Sequence, residues 1–453
     1  MKRAAGLLSA LFLLPLVVQA QLIAYDYSSL YEITRPAIVQ IITDDGSGSG
    51  FLVTPYGHIA TNYHVIRNSR YLAVQFPDGR KVKAAVAAVN RHYDMALLKV
   101  NSGIVKNIRP LPVLPTEKDG AIRVGIPVVA IGSPLNQKFL MTQGILSKVD
   151  ETAMLGDFLL LSGNSGGPLM NRDGEVIGIN TFGEAALGGA VRITALRVFL
   201  ESPELLGQSM DMEPSGDLLR SVRAERYPIA VLNQKIEAEP LDWDAYRVQA
   251  GDFTITAITP VLIGKLQVMQ AKMRAMNRYE RRSKNISDPD FHGESEPFYD
   301  WRRSTESMLD YAITFDIRPD SGLTGRSRAS KILMPFFMFG KTGKVEMEFK
   351  AEFLDFRIYR DGVLLEPILP GRAVIEGRPD KKNSQFVDQA CAGSYVYAPG
   401  DFLAGHEFRM QIIDARKPDE IHKELIFTGD SKLIRQLRSD FTVAPQMFIS
   451  KAP

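Results

Sequence analysis

The residues of this chain best suited to chemistry lie in the glycine-rich segment 163–167, Gly-Asn-Ser-Gly-Gly. Glycines on both sides of a serine allow a sharp turn and bring backbone N–H groups close to a bound carbonyl. The Ser165 hydroxyl could attack the carbonyl carbon, while the N–H groups of Gly163 and Ser165 stabilise the oxygen that becomes negative. Because glycine–serine turns are common in loops, this prediction depends on a base and a carboxylate elsewhere.

A histidine and an aspartate occur upstream in suitable contexts. His64 lies in a Thr-Asn-Tyr-His-Val segment, and Asp94 directly precedes the apolar run 95–100. A serine hydroxyl needs a base whose pKa lies near 7, which is the ordinary range of histidine. The imidazole in turn needs a carboxylate on its second nitrogen, which fixes the tautomer. We therefore predict that His64, Asp94 and Ser165 form a catalytic triad.

Each of these residues also has a structural alternative. His64 could be a half-buried histidine that satisfies a backbone carbonyl, and Asp94 could be a turn residue ahead of a strand. The competing histidines, His58 and His92, lack the Thr-Asn-x-His context, and Ser162 lacks the following Gly-Gly. Only the joint occurrence of the three segments favours catalysis.

Together with further segments, these motifs resemble a known family. Residues 46–50, 128–134 and 174–181, taken with the segments above, resemble trypsin-like serine peptidases of the Deg/HtrA type over roughly residues 30 to 200. The resemblance implies a chymotrypsin-like double β-barrel, with six antiparallel strands in each barrel and the site between them. It implies an endopeptidase acting on polypeptide substrates without a cofactor. It also implies homo-oligomers, for which Tyr25, Tyr27 and Tyr31 are candidate contacts.

Two departures concern the substrate. Leu159, six residues before Ser165, stands where basic-specific relatives have an aspartate. Since leucine cannot pair with a buried Lys or Arg head group, we predict an apolar residue at the cleaved position. The alternative is that Leu159 points into the barrel core. Leu161 and Ser162 replace the usual Asn-Pro pair, so whether the oxyanion site is formed before substrate binds stays open.

The rest of the chain divides into regions of different character. We predict a mainly β fold with a peptidase-like domain at 28–200, a connector at 201–250 and a third region at 251–453. Thr259-Pro260 is a typical helix start, and the segments after it have strand-like composition. This predicts a helix followed by a β-rich, sandwich-like domain. No convincing PDZ-like carboxylate-binding loop occurs in the C-terminal half of the sequence.

The N-terminus predicts export. Lys2-Arg3, the apolar stretch 7–18 and small residues before Gln21 form a signal peptide at 1–20. This favours the bacterial periplasm or secretion, with a retained membrane anchor as the alternative, although the apolar stretch is short for a bilayer. Lys2 and Arg3 account for the formal net charge of +2, so the composition gives no reason to expect a nucleic-acid partner.

Cysteine and histidine usage adds no further chemistry. The chain has one cysteine, Cys391, which cannot form an internal disulfide. His292, His406 and His422 lack neighbouring ligands at zinc-like spacing, so no metal site is expected.

Two functional hypotheses follow from these observations. The first is an exported serine endopeptidase. The second is a protease-fold binding protein, or an assembly or secretion component, in which the C-terminal domain recognises a protein partner.

Overall fold

The computed structural model describes residues 26–133, 139–184, 187–202, 214–222, 227–238, 240–275, 311–324, 345–377 and 384–442. The fold is mainly β, as predicted, with two barrel-like sheets ahead of a β-rich C-terminal domain. The predicted signal peptide 1–20 and Tyr25 lie outside the described residues. In the part of the chain that the structure describes, no helix is long and apolar enough to cross a membrane.

The first barrel is built by a sheet of seven strands. Its strands are β1 (Ile38–Thr43), β2 (Ser47–Leu52), β3 (His58–Thr61), β4 (Leu72–Gln75), β5 (Lys81–Lys83), β6 (Ala85–Asn90) and β7 (Met95–Lys99). Its helices are α1 (Ser28–Thr34), α2 (Tyr63–Ile66) and α3 (Ser102–Val105). The strand order is β5-β4-β1-β2-β3-β7-β6. Since only Ala84 separates β5 from β6, one bent strand supplies both ends of the sheet, which reconciles seven strands with the six expected.

The second barrel is a closed, antiparallel, six-stranded sheet. Its strands are β8 (Pro127–Gly132), β9 (Leu140–Val149), β10 (Ala153–Gly156), β11 (Pro168–Asn171), β12 (Val176–Glu184) and β13 (Leu187–Arg192), and α4 (Thr194–Glu201) follows them. The strand order around the barrel is β10-β13-β12-β11-β8-β9. Short 3₁₀ helices lie at Arg35–Ala37 and Thr116–Ala121. The two barrels meet along β1, β2 and β8, because these strands contact one another.

Helix α1 packs against the body of the first barrel. Tyr27, Leu30 and Tyr31 contact its apolar core, and the Tyr31 hydroxyl donates a hydrogen bond to the Phe139 carbonyl at 2.8 Å. The guanidinium of Arg35 lies 5.7 Å from the centre of the Phe139 ring. Part of the surface of Tyr27 and Tyr31 is therefore buried against the barrel, which leaves less of it for the subunit contact that the resemblance implies.

The C-terminal domain is a β-sandwich with helices beside it. Its strands are β14 (Arg247–Ala250), β15 (Phe253–Ile258), β16 (Ile313–Pro319), β17 (Ser321–Leu323), β18 (Val345–Phe349), β19 (Phe353–Arg360), β20 (Val363–Leu364), β21 (Arg372–Glu376), β22 (Ser384–Phe386), β23 (Gln389–Tyr397), β24 (Glu407–Asp414) and β25 (Lys423–Thr428). A five-stranded sheet, β14-β15-β16-β23-β21, faces a four-stranded sheet, β20-β19-β24-β25. The aromatic rings of Phe315 and Phe356 meet between them at 5.8 Å, so the two sheets share one core. A small third sheet contains β17, β18 and β22.

In the described ranges of the C-terminal region, four helices and a 3₁₀ turn accompany the sandwich. They are α5 (Ile229–Ala238), the turn Trp243–Ala245, α6 (Pro260–Ala275), α7 (Gly400–Leu403) and α8 (Lys432–Phe441). Helix α6 starts as predicted, because the Thr259 hydroxyl accepts a hydrogen bond from the Leu262 N–H at 3.1 Å. Strand β14 lies inside the stretch predicted as a connector, yet it pairs with β15. The packed C-terminal domain therefore begins before residue 251.

The sandwich contacts the first barrel through hydrogen bonds and an ion pair. The Lys81 ammonium is fully buried and donates to the Ile368 carbonyl at 2.7 Å. Arg372 Nε lies 3.1 Å from Asp44 Oδ2, and the Arg372 N–H donates to the Asp44 carbonyl. Asp44 lies in the turn between β1 and β2, so the C-terminal domain contacts the barrel that carries His64 and Asp94.

Candidate active site

His64 and Asp94 come together at the edge of the first barrel. His64 lies in the single turn α2 after β3, and Asp94 directly precedes β7, which pairs with β3. His64 Nδ1 lies 2.6 Å from Asp94 Oδ2, and the His64 N–H donates to Asp94 Oδ1 at 2.8 Å. Because an ionised carboxylate only accepts hydrogen bonds, Nδ1 carries the proton and Nε2 is left as a base.

The backbone at Asp94 adopts an uncommon conformation. Its φ is +47°, in the left-handed region where aspartate and asparagine are tolerated better than most residues. The Asp94 carbonyl accepts hydrogen bonds from the Tyr63 N–H at 3.1 Å and from Asn62 Nδ2 at 2.9 Å. Both the carbonyl and the carboxylate of Asp94 therefore hold the turn that presents His64.

Asn62 joins the two barrels behind the site. It is fully buried, and its Nδ2 donates to the Asp94 carbonyl and to Thr181 Oγ1, the latter at 3.2 Å. Thr181 belongs to β12 of the second barrel, whereas Asn62 precedes α2 of the first. This one amide side chain therefore links the histidine–aspartate pair to the strand that runs beside Ser165.

The serine turn has the backbone geometry that its sequence predicts. The Asn164 N–H donates to the Leu161 carbonyl at 2.9 Å, and Gly163, the third residue of this turn, has a φ of +98°. Ser162 does not have a positive φ, so the turn is of type II. The turn closes without the Asn-Pro pair that the resemblance leads one to expect.

The two glycines after Ser165 are required by close packing. Gly166 has a φ of +90°, and a side-chain carbon there would lie 2.1 Å from the Ser49 carbonyl oxygen. A side-chain carbon at Gly167 would lie 2.1 Å from the Ile131 carbonyl oxygen. The Gly-Gly pair lets the turn lie against β2 and β8, which brings Ser165 to the contact between the barrels.

The Ser165 hydroxyl donates to the Thr181 carbonyl at 2.8 Å. Its hydrogen must therefore turn from this carbonyl toward the imidazole before any proton transfer to His64. Within the described part of the chain, the N–H groups of Gly163 and Ser165 donate to no protein acceptor. They are available to a ligand, as an oxyanion site requires.

Leu159 lies at the surface next to the second barrel. Its side chain is 51% exposed, whereas Phe158 and Leu160 on either side are buried in the barrel core. The Leu159 carbonyl accepts a hydrogen bond from Thr142 Oγ1 of β9 at 2.8 Å. The alternative that Leu159 fills the barrel interior is therefore excluded.

The other histidines and the cysteine considered in the sequence analysis lie in surroundings that indicate structural roles where the structure describes them. His58 is buried in β3, and burial together with the charge of Lys99 lowers the pKa of His58 to about 4. Burial raises the pKa of the Cys391 thiol, which lies in β23. In the described ranges no group of three or more histidine, cysteine or acidic side chains could hold a metal ion. His422 lies between two aspartates at 3.7 and 3.8 Å, and His292 lies outside the described residues.

Comparison with known proteins points to the same region. Residues 48–179 match the family model described as a trypsin-like peptidase domain. A bovine mitochondrial serine protease, HTRA2, is 38% identical over 171 residues, and a probable periplasmic DegP-like serine endoprotease of Halomonas elongata is 38% identical over 142 residues. This region is a trypsin-like peptidase domain of the Deg/HtrA type.

The similarity covers only part of each protein. The two relatives match 35% and 30% of this chain, and the chain spans only 36% and 29% of their lengths. A solved serine endoprotease from Yersinia pestis is 28% identical, with a TM-score of 0.36 over 40% of this chain and 67% of that one. These matches to the peptidase domain each leave more than half of the chain uncovered.

Three residues of the site had no role in the sequence analysis. Asn62 and Thr181 link the barrels, and Ser49 lies under the serine turn. All three lie within the motifs that carry the resemblance, and each is a short polar residue at or near the end of an apolar or glycine-rich run. That pattern is the sequence signal that could have indicated them.

Proposed function

We propose that the chain is an exported serine endopeptidase that hydrolyses peptide bonds of polypeptide substrates. The observation that carries the proposal is the 2.6 Å contact between His64 Nδ1 and Asp94 Oδ2. It leaves Nε2 as the basic nitrogen, and the N–H groups of the serine turn are available to a ligand. A protein that only captured peptides would have no physical need for all three groups.

The proposed reaction runs in two halves. Ser165 Oγ attacks the scissile carbonyl while its proton passes to His64 Nε2, and the Gly163 and Ser165 N–H groups bind the oxyanion. The C–N bond then breaks as His64 donates that proton to the departing amine, leaving an acyl-enzyme. Water attacks the ester with His64 again as base, which releases the acid and restores Ser165. Asp94 orients the imidazole and stabilises its charged form.

The substrate preference is proposed to be apolar at the cleaved residue. The exposed side of Leu159 gives a substrate an apolar contact, and it offers no carboxylate to a Lys or Arg side chain. A peptide library digested by the purified chain should show cleavage after small or medium apolar residues. Predominant cleavage after arginine would contradict this assignment.

Export is proposed from the N-terminal sequence 1–20 and from the relative named as periplasmic. Expression in a bacterial host should place the protein in the periplasmic fraction with Gln21 at its N-terminus. Deletion of residues 2–18 should retain it in the cytoplasm. An uncleaved N-terminus in the membrane fraction would favour the anchored alternative.

Hydrolysis of an unfolded protein tests the proposed activity. The Ser165→Ala and His64→Ala chains should lose on the order of 10⁴-fold in turnover, because removing either group leaves only binding and oxyanion contributions. The exposed Ser162→Ala change, three residues away, serves as the matched control and should retain turnover. If wild type and Ser165→Ala were equally inactive on every substrate, the binding or assembly hypothesis would be favoured.

A further inference from the structure

Ser49 lies fully buried in β2, beneath the serine turn. Its hydroxyl donates to the Gly163 carbonyl at 2.6 Å and accepts from the Ser133 N–H at 2.7 Å. Its own N–H donates to the Ser165 carbonyl at 2.8 Å. The side chain and backbone of one residue thus hold both carbonyls that flank Asn164.

The direction of these hydrogen bonds follows from the partners. The Ser133 N–H can only donate, so Ser49 Oγ must accept from it. The single Ser49 hydroxyl proton is then directed to the Gly163 carbonyl, which can only accept. Because both partners are backbone groups, the arrangement does not depend on the rotamer of another side chain.

The consequence concerns the oxyanion site. The held carbonyls belong to the peptide groups 163–164 and 165–166, whose N–H groups are also bonded, that of Asn164 to the Leu161 carbonyl and that of Gly166 to the Asn180 carbonyl. The Ser165 N–H belongs to the peptide group between these two fixed groups, and the Gly163 N–H belongs to the group just before them, so the rotation of both N–H groups is restricted. The Leu161 carbonyl adds the hydrogen bond from Asn164 that closes the turn.

We propose that Ser49 is a positioning residue that keeps the oxyanion turn formed before substrate binds. This inference rests on the proposed peptidase function and names a residue outside the serine turn that holds the turn, in a chain where Leu161 and Ser162 stand in place of the expected Asn-Pro pair. Without the Ser49 hydroxyl, the Gly163 carbonyl and the Ser133 N–H lose their buried partner. Rotation of the Gly163 carbonyl toward solvent then becomes favourable, because water can donate the missing hydrogen bond.

Kinetics of Ser49→Ala test the inference. Loss of one oxyanion-hole donor typically lowers turnover by about 10²- to 10³-fold, so a misplaced donor should lower kcat by roughly 10- to 100-fold with KM nearly unchanged. The rate of acylation by a fluorophosphonate should fall in parallel. Ser47→Ala, two residues earlier in β2, is the matched control and should behave like wild type. Ser49→Thr keeps the hydroxyl and should recover most of kcat.

A second measurement separates positioning from stability and from the proposed function. Amide hydrogen exchange of the peptide 158–167 should be faster in Ser49→Ala than in wild type or Ser47→Ala, at a temperature where all three are folded. Unchanged kcat in Ser49→Ala, or unchanged exchange in this peptide, would overturn the inference. If wild type neither hydrolyses peptides nor reacts with the fluorophosphonate, the proposed function fails, while the exchange comparison still decides the role of Ser49.

Discussion

At the residue scale, Asp94 has both an electrostatic role, through its carboxylate, and a strained backbone. Its carboxylate accepts two hydrogen bonds from His64, and its φ of +47° is one that few side chains adopt readily. The carboxylate contacts and the backbone conformation respond differently to substitution. Asparagine preserves the backbone preference but loses the charge, glycine relieves the backbone but loses the side chain, and alanine loses both advantages.

We predict that Asp94→Asn, Asp94→Gly and Asp94→Ala all lose on the order of 10⁴-fold in turnover, because the imidazole is no longer held in the required tautomer. Their stabilities should differ. Asp94→Ala should be less stable than Asp94→Gly by about 1 kcal/mol, since alanine is strained at positive φ. Urea unfolding of the three variants measures this, and equal stability of the alanine and glycine variants would contradict the strain.

The proposed triad rests on residue type and local context, which do not give the contacts of its members. The motifs indicate that Ser165, His64 and Asp94 meet, since a serine needs a base and the base needs a carboxylate. That the Ser165 hydroxyl donates to the Thr181 carbonyl depends on where β12 lies, which is set by packing across the whole barrel. The contacts of the buried Ser49 with the serine turn could not be predicted for the same reason.

At the scale of elements, the site depends on how α2 and β12 are joined. Asn62 ahead of α2 donates to Thr181 on β12, across the boundary between the barrels. Such a buried hydrogen bond between two rigid elements fixes their separation, whereas each barrel core fixes only its own strands. The link should therefore be visible as an energetic coupling.

A double-mutant cycle of Asn62→Ala and Thr181→Val tests this link. Each single change should lower stability, and their effects should be non-additive by about 0.5 to 1 kcal/mol, because the second removes an interaction already lost. Asn68→Ala, at an exposed position just after α2, provides the control and should be additive with Thr181→Val. Additivity of the Asn62 and Thr181 changes would mean that the contact does not join the barrels energetically.

The elements themselves were partly predictable. The barrels follow from motifs in order, and the sandwich follows from short apolar segments between turns. Strand β14 was not predicted, because Arg247–Ala250 is only four residues long and its place is decided by pairing with β15. The bend at Ala84 was also not predicted, since one residue between two strands carries no turn motif.

At the scale of the whole molecule, the peptidase domain and the sandwich share a buried charged contact. Burial lowers the pKa of Lys81 to about 7, with Glu366 opposing that shift and Lys83 adding to it. Between this pKa and the ordinary lysine value the unfolded chain binds more protons than the folded one. The free energy of unfolding should therefore rise as pH increases from about 7 toward 10.

The expected gain between pH 7 and 9 is about 2 kcal/mol, from the shifted titration of one lysine. Lys81→Met should abolish this pH dependence. Lys148→Met is the control, because the Lys148 ammonium on β9 of the second barrel is exposed and pairs with Asp150 at 2.6 Å, so its pH profile should follow wild type. Urea midpoints at pH 7, 8 and 9 measure the effect, and a Lys81→Met profile identical to that of wild type would rule out Lys81 as its source.

The proposed peptidase activity depends most directly on Ser165 being an activated nucleophile. The decisive measurement is intact-mass and peptide mapping of the purified chain after reaction with a fluorophosphonate, alongside Ser165→Ala and Asp94→Asn. We predict one adduct on Ser165 in wild type, none in Ser165→Ala, and formation slowed by orders of magnitude in Asp94→Asn. An unmodified wild-type chain, or an adduct that persists in Ser165→Ala, would contradict the proposed enzyme.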